Sequence, residues 1–264
     1  MKRRDFIAAT ALAGAAPLST IAAATARKDM SEPEYYELRQ YHLLSFGARK
    51  RLDDFLRDAA VPALNRNGIE PVGVFTVMYG PNSPTIYVLL PHKSLESFVT
   101  TDERLAADDR YQQAGASFLG APMSDPAYVR IESSLMVAFE QMPRLELPAA
   151  TAEKKPRIFE LRTYESHSKK KAKKKIEMFN AGGEIALFLK IGMRPVFFGE
   201  TLIGPDLPNL TYMVTFDDMG QRDETWQKFG SSPEWKELSA NPIYANTVSN
   251  INVSFLQPAS YSQI

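Results

Sequence analysis

The sequence predicts an α+β fold in which two tandem ferredoxin-like repeats form an intrachain pseudo-dimeric αβ barrel. The stretch YELRQY at 36–41 returns as FELRTY at 159–164, with four of six positions identical. A glycine-proline pair recurs at nearly the same offset, as Gly80-Pro81 and Gly204-Pro205. Strand-like and helix-like segments follow the order β-α-β-β-α-β in each half. A period of about half the chain indicates a duplicated domain rather than a solenoid.

The first 26 residues resemble an export signal. Arg3-Arg4 is followed by Phe6 and by an alanine-rich apolar run, and Ala24-Thr25-Ala26 forms a cleavage pattern before Arg27. Twin arginines with an alanine-rich run are typical of a twin-arginine (Tat) signal, and a general secretory signal is the alternative. We expect cleavage between Ala26 and Arg27, and a mature protein in the periplasm or otherwise exported.

The first repeat is predicted over 35–140, after a polar linker at 27–34. Alternating and β-branched residues predict strands, and a 3, 4, 7 spacing of apolar residues predicts the long first helix. Pro62 should bend or restart that helix, and Ser94 should cap a later one. The predicted strands are 35–43, 72–79, 85–90 and 127–139, and the predicted helices are 48–67, 94–100 and 104–118.

A proline-rich linker at 141–156 precedes the second repeat, 157–258, and a tail at 259–264 follows it. Ser168 should cap a helix that begins with the lysine run 169–175 and is interrupted at Gly182-Gly183. This run fits a solvated helix face or an anion-binding surface, and its role stays open. The predicted strands are 157–165, 195–202, 210–216 and 248–256, with further helices at 220–229 and 233–239.

Composition excludes several classes of function. The net charge is zero, which argues against a nucleic-acid-binding protein. There is no cysteine, so disulfides, thiolate metal sites and thiol catalysis are absent. Without residues 1–26 the chain keeps 28 basic and 30 acidic side chains and has no apolar run of the roughly 20 residues that span a membrane. The three histidines lack metal-ligand spacing, and we expect no metal and no cofactor.

Several motifs resemble the NIPSNAP family over essentially the whole mature chain. They are the repeated opening with Glu-Leu-Arg-x-Tyr, a Gly-x-x-Pro-Val before each hairpin, PNLTYM at 208–213, PEWK at 233–236, and LQP at 256–258 with Tyr261-Ser262. The first repeat lacks the PEWK motif. The resemblance implies a ferredoxin-like fold of the dimeric αβ-barrel kind, related in shape to small monooxygenases and haem-handling barrels. It supplies no catalytic motif.

Strand alternation predicts a ligand site inside the barrel. If Tyr36 and Leu38 pack on their own helices, the Glu-Arg-Tyr side chains of both first strands face the interior. The last strands would add Arg130, Glu132 and Ser134 from the first repeat, and Ser254 with two asparagines from the second. The candidate interior site comprises Glu37, Arg39, Tyr41, Glu160, Arg162, Tyr164, Glu200, Asn250 and Asn252. Glutamate and arginine two apart on one strand face also fit a plain structural ion pair.

Two classes of function are compatible with a polar site inside the barrel. One is a binding module for a small polar molecule or a partner protein, with homo-oligomerisation as a further possibility. The other is a cofactor-independent oxygenase or isomerase that uses the interior residues. An enzyme requires an open cavity with an unpaired glutamate or tyrosine, whereas a structural barrel matches each glutamate to an arginine.

Overall fold

The structure, a computed structural model, describes residues 32–43, 46–80 and 84–264. The predicted signal segment and its cleavage site at Ala26 lie outside these residues. The described residues contain eight strands that close into a barrel. They are β1 Tyr35–His42, β2 Gly73–Tyr79, β3 Thr85–His92, β4 Arg130–Ala138, β5 Ile158–Glu165, β6 Arg194–Ile203, β7 Asn209–Phe216 and β8 Asn250–Pro258.

All neighbouring strands are antiparallel, and their order around the barrel is β1-β3-β2-β8-β5-β7-β6-β4. Each repeat supplies four adjacent strands. The repeats join at two seams, where β2 pairs with β8 and where β4 pairs with β6. These seams cover the strand edges that a single repeat would expose. The predicted α+β barrel of two repeats within one chain is confirmed.

The helices of the first repeat pack on the outer face of its strands. The predicted helix at 48–67 is present, but the π-helical turn Leu56–Ala60 divides it. Pro62 accounts for this turn, because proline lacks an N–H and its ring clashes with the carbonyl four residues earlier. Ser94 caps a later helix as predicted. The helices are α1 Phe46–Phe55, α2 Val61–Arg66, α3 Leu95–Val99, α4 Thr101–Ala106 and α5 Asp109–Leu119.

The linker contains one short helix, and the second repeat has four α-helices and a 3-10 turn at Pro242–Tyr244. Ser168 caps the lysine-rich helix by accepting a hydrogen bond from the Lys171 backbone N–H. Gly183, with φ of 89°, precedes the next helix, so the predicted interruption is present. Left-handed backbone of this kind favours glycine. The helices are α6 Ala149–Ala152, α7 Lys169–Phe179, α8 Glu184–Lys190, α9 Met219–Ser231 and α10 Pro233–Ala240.

Apolar side chains form three clusters. One cluster lies inside the barrel and takes residues from both repeats, among them Tyr36, Phe75, Phe159 and Met213. The other two lie between each half of the barrel and its own helices. Both faces of most strands are therefore buried. Burial of this apolar surface is the main force that holds each layer in place.

The last residues close one end of the barrel. The Val72 backbone N–H donates to Gln263 Oε1 at 2.8 Å, and the Val74 N–H donates to Ser262 Oγ at 3.0 Å. Ile264 is fully buried in the interior cluster. We call this the closed end. The opposite end, where the β2–β3 and β6–β7 turns lie, is called the mouth.

Candidate functional site

The two Glu-Arg-Tyr sets face the helices and not the barrel interior. Tyr36 and Leu38 lie in the interior cluster, whereas Tyr41 packs with the helices of its repeat. The second repeat has the same arrangement. Alternation of side chains along a strand separates its two faces. Both faces of these strands are apolar and buried, so alternation alone does not show which face the helices cover. The predicted interior placement is wrong for Glu37, Arg39, Tyr41, Glu160, Arg162 and Tyr164.

Glu37 is held by neighbours within the first repeat. Arg39 donates from Nε to Glu37 Oε1 at 2.6 Å and from Nη2 to Oε2 at 2.9 Å. Ser133 Oγ donates to Oε1 at 2.7 Å, and His92 Nε2 lies 3.7 Å from Oε2. Burial acts to raise the pKa of Glu37, but His92 and Arg39 outweigh it and lower this pKa to about 2. Glu37 is therefore a paired carboxylate.

Glu160 is enclosed in the second repeat and is fully buried. Arg162 Nη1 donates to its Oε1 at 2.5 Å, Arg222 Nε to its Oε2 at 2.8 Å, and Trp226 Nε1 to its Oε2 at 2.9 Å. Burial acts to raise the pKa of Glu160, but Arg222 and Arg162 outweigh it and lower the pKa. Both glutamates of the repeated motif are thus members of structural ion pairs, which is the alternative that the sequence predicts.

Glu200 also lies on the outer face of the barrel. It pairs with Val137 on β4 and Leu210 on β7, and its carboxylate accepts a hydrogen bond from Lys173 Nζ at 2.7 Å. Lys173 belongs to α7, so Glu200 faces a helix and the prediction of an interior position is wrong for it.

The lysine run of α7 is largely used within the protein. Lys171 Nζ donates to the Ala245 carbonyl at 2.5 Å, and Lys174 pairs with Glu177 at 2.6 Å. Lys175 is 4% exposed and donates to Glu184 Oε2 at 2.7 Å. Burial raises the pKa of Glu184, and the nearby Lys175 charge opposes this shift. These contacts favour a structural role for the run, and sequence spacing alone does not reveal the buried pair.

A cavity of about 390 Å³ opens at the mouth of the barrel, between the two repeats. The apolar interior cluster lies beneath it, and Leu38 and Leu161 form its floor. The first repeat adds Gln40, Tyr87, Glu132 and Ser134. Among the described residues, the second repeat adds six polar side chains, Thr163, Asp206, Asn209, Thr211, Asn252 and Ser254.

Asn252 is the member of the predicted set that lines this cavity, and Glu132, Ser134 and Ser254 were expected inside the barrel with it. Asn250 lies further out on the same strand. Asn252 and Asn250 both donate to Glu165 Oε1, at 2.6 and 2.9 Å. Of the predicted site residues, the structure thus places only Asn252 in the cavity wall.

Four polar side chains of the cavity wall have no hydrogen-bond partner among the described residues: Gln40, Ser134, Asp206 and Ser254. Ser254 is 6% exposed and lines the cavity. Buried polar groups in proteins are nearly always hydrogen-bonded, to protein, water or ligand. These side chains are therefore open positions for a hydrogen-bonding group inside the cavity.

Gly80 and Gly204 flank the mouth, and each approaches the other repeat. A β-carbon at Gly80 would lie 2.9 Å from Ser254 Oγ, and one at Gly204 would lie 2.7 Å from Ser134 Oγ. Gly80 also has φ of 145°, a conformation that favours glycine. The recurring glycines thus place the two unpartnered serines of the last strands directly beneath the turns.

Reasoning from the sequence missed Gln40, Tyr87, Thr163, Asn209 and Thr211. Their spacing in the sequence could have identified them. Each lies two or four residues along a strand from a buried interior side chain such as Leu38 or Met213, and so on the same face of the strand. Thr163 and Thr211 face each other across β5 and β7, with their hydroxyl oxygens 2.9 Å apart.

The described residues offer no metal site and no membrane-spanning helix. No three histidine or acidic side chains in this part of the chain converge closely enough to hold a metal ion. None of the helices in 32–43, 46–80 and 84–264 combines the length and the apolar character needed to cross a bilayer.

The sequence profile of the NIPSNAP family matches residues 36–138 and 159–263. The chain belongs to the NIPSNAP family. Both repeats are matched, so this NIPSNAP protein carries two copies of the domain. No protein with a curated description matches its sequence significantly.

Solved structures with the same fold include proteins that span nearly the whole barrel. A protein named as a candidate monooxygenase from Fusobacterium nucleatum is 9% identical, with a TM-score of 0.54, over 87% of this chain and 94% of the other. An anthrone oxidase-like protein is 12% identical, with a TM-score of 0.50, over 87% and 93%. At these identities the similarity shows the fold alone.

A single-domain relative has higher identity over a shorter region. A NIPSNAP-like domain protein from Burkholderia xenovorans is 24% identical, with a TM-score of 0.37, and the match covers 40% of this chain and 88% of the other.

Proposed function

We propose that this NIPSNAP protein is a small-molecule-binding module whose site is the cavity at the barrel mouth. The observation that carries the proposal is the Ser254 side chain, which is 6% exposed, lines the cavity and has no hydrogen-bond partner among the described residues. Ser134 occupies the corresponding position of the first repeat. A volume of about 390 Å³ lies within the usual range for small-molecule sites.

The composition of the cavity supports a polar ligand with an apolar side. Hydroxyl and amide groups surround the opening, while Leu38 and Leu161 lie below them. Sites of this kind hold a ligand by burial of its apolar surface and fix its orientation by a few polar contacts. The Glu37 and Glu160 sets do not compete for this role, because their carboxylates are already bound by arginines.

A cofactor-independent oxygenase or isomerase is the second candidate. Glu132 favours it, because this carboxylate lines the cavity with about half of its side chain exposed. His42 Nε2 lies 3.3 Å from Glu132 Oε1, and a carboxylate so placed is a candidate general base. Proteins of similar fold are named as a candidate monooxygenase and as anthrone oxidase-like. Oxygen uptake or product formation with a bound molecule would distinguish enzyme from binding module.

Native mass spectrometry of the protein purified from its own cells tests the binding proposal. We expect a reproducible additional mass that denaturation removes. The Asn252→Phe variant should lose this mass, because a phenyl group in place of an exposed amide at the opening occupies the cavity. The matched control is Asn250→Phe, on the same strand and with the same Glu165 partner but outside the cavity.

Two results would contradict the proposal. One is a bare polypeptide mass in the wild-type protein that also fails to bind any member of a fragment library by ligand-observed NMR. The other is equal ligand retention by the two phenylalanine variants, which would place the ligand elsewhere.

Export by the twin-arginine route is a separate proposal and rests on Arg3, Arg4 and the pattern at Ala24-Thr25-Ala26. N-terminal sequencing of protein from the periplasmic fraction should begin at Arg27. Replacing Arg3 and Arg4 with lysines should retain the full-length precursor in the cytoplasm. An intact Met1 on periplasmic protein would exclude the cleavage.

A further inference from the structure

The geometry points to a ligand class for the mouth cavity: molecules that carry a cationic group, such as an ammonium, together with hydroxyl groups. This inference rests on the proposed binding function and refines it. The acidic side chains of the cavity wall lie on one side, and hydroxyl and amide groups lie on the other side.

The wall contains two acidic side chains, Glu132 and Asp206, and no lysine or arginine lines it in the part of the chain that the structure describes. A cleft lined by one sign of charge raises the local concentration of ligands of the opposite sign. An anionic ligand would meet two carboxylates and no compensating cation.

Both carboxylates lie beyond the mouth end of the β4–β6 pairing, Glu132 on β4 and Asp206 in the β6–β7 turn. Glu132 is two residues before Ser134 on β4, and Ser134 lies under the Gly204 turn. Asp206 is two residues after Gly204 in that same turn. The β4–β6 side of the cavity is therefore its negative side, and it fixes where a cationic group would bind.

Basic groups near this seam do not reach the cavity. His42 Nε2 lies 3.3 Å from Glu132 Oε1, but this nitrogen is buried. Arg130 is exposed, and its Nη1 donates to the Val129 carbonyl at 2.7 Å. A third carboxylate near the mouth, Glu165, accepts hydrogen bonds from Asn250 and Asn252. Glu132 and Asp206 thus remain the groups available to a ligand cation.

The second repeat provides the complementary wall. Ser254 and Asn252 lie on β8, and the Thr163 and Thr211 hydroxyls lie on β5 and β7. Hydroxyl groups can donate and accept, so this wall matches a ligand that carries hydroxyls of its own. The ligand would span the cavity with its cationic end at the β4–β6 seam and its hydroxyls toward β8.

Fragment triplets that share a scaffold and carry an ammonium, a hydroxyl or a carboxylate test this inference. Glucosamine, glucose and glucuronate form one such triplet. Binding to the wild-type protein is measured by ligand-observed NMR, with the Asn252→Phe variant to assign signals to the cavity. We expect the cationic member to bind about three- to tenfold more tightly than the neutral one, as for a partly exposed ion pair.

The Glu132→Gln, Asp206→Asn double variant should lose this preference and bind the cationic and neutral members equally. Its matched control, Glu140→Gln with Asp223→Asn, changes the net charge equally with both changes outside the cavity wall. Equal binding of all three members, or preference for the carboxylate, would overturn the cationic class but leave the binding site. Absence of any binding that Asn252→Phe removes would overturn the site itself.

Discussion

At the scale of single residues, the repeated Glu-Arg motif is a stabilising device. Glu160 is fully buried and receives hydrogen bonds from Arg162, Arg222 and Trp226. A carboxylate in this environment cannot act as a free base without breaking those contacts. The serines at the mouth differ in this respect, because Ser254 is nearly as enclosed and has no partner among the described residues.

Replacing Arg162 with methionine should lower the free energy of unfolding by about 3 kcal/mol. The substitution keeps the volume but leaves the Glu160 carboxylate buried with one cation fewer. Urea denaturation followed by circular dichroism measures the change. Lys173→Met is the control, because the Lys173 side chain is 67% exposed and its pair with Glu200 should contribute less than about 1 kcal/mol. Equal stability of wild type and Arg162→Met would disprove the importance of the pair.

The pKa of Glu37 predicts acid sensitivity. Its folded-state pKa is lowered from its ordinary 4.5 to about 2, so its ionised form stabilises the fold above pH 4.5. This contribution, about 3 kcal/mol, should disappear as the pH falls from 4.5 to 2. Glu184 has the opposite sign, because burial raises its pKa. Thermal melting across this range should show a shallower acid loss for Glu37→Gln than for wild type; parallel curves would contradict the assignment.

At the scale of elements, the two hairpins determine the shape of the mouth. Gly80 and Gly204 each belong to one repeat and approach a serine of the other, so the mouth exists only when both repeats are folded. The turn glycines recur in the sequence because a side chain there would meet the opposing strand.

Gly80→Ala should cost about 1–3 kcal/mol of stability. The new β-carbon would lie 3.0 Å from the Ser254 Cα, and the backbone at φ of 145° disfavours alanine. Gly230→Ala is the control, because this glycine lies within α9 with open space around it and alanine favours helix. Chemical denaturation of both variants measures the difference. A Gly80 variant as stable as the Gly230 variant would contradict the close approach of the turn.

The last residues act as a structural element that the sequence does not reveal. Ile264 is fully buried beside Gly73 and Phe75 at the closed end. Ile264→Ala should lower the free energy of unfolding by about 2–5 kcal/mol, the usual cost of such a truncation in a core. Ser260→Ala, an exposed change in the same tail, should have little effect. Urea titrations that fail to separate the two variants would show that the tail contributes no core packing.

At the scale of the whole molecule, the two repeats depend on each other. The interior cluster takes side chains from both halves, and both seams consist of strand pairs between them. Residues 32–148 expressed alone would expose the β2 and β4 edges and half of the interior cluster, and exposed edges promote association. We expect a dimer or aggregate in size-exclusion chromatography with light scattering. A stable folded monomer would contradict this mutual dependence.

The sequence alone determined the duplication, the order of strands and helices, several helix caps and the membership of each strand face. These features depend on local spacing, on periods of two and 3.6 residues and on the repeat of a motif. Asn252, Glu132, Ser134 and Ser254 could therefore be assigned to one face and expected inside the barrel before the structure was known.

Only the tertiary structure decided which face is the interior. Tyr36 and Glu37 alternate in the same way whichever side the helices cover, and both are buried. Closure of the barrel through β2–β8 and β4–β6 pairs residues far apart in the chain, and no local pattern encodes that pairing. The cavity follows from this closure, because its wall combines Gln40 and Ser134 from one repeat with side chains of the other.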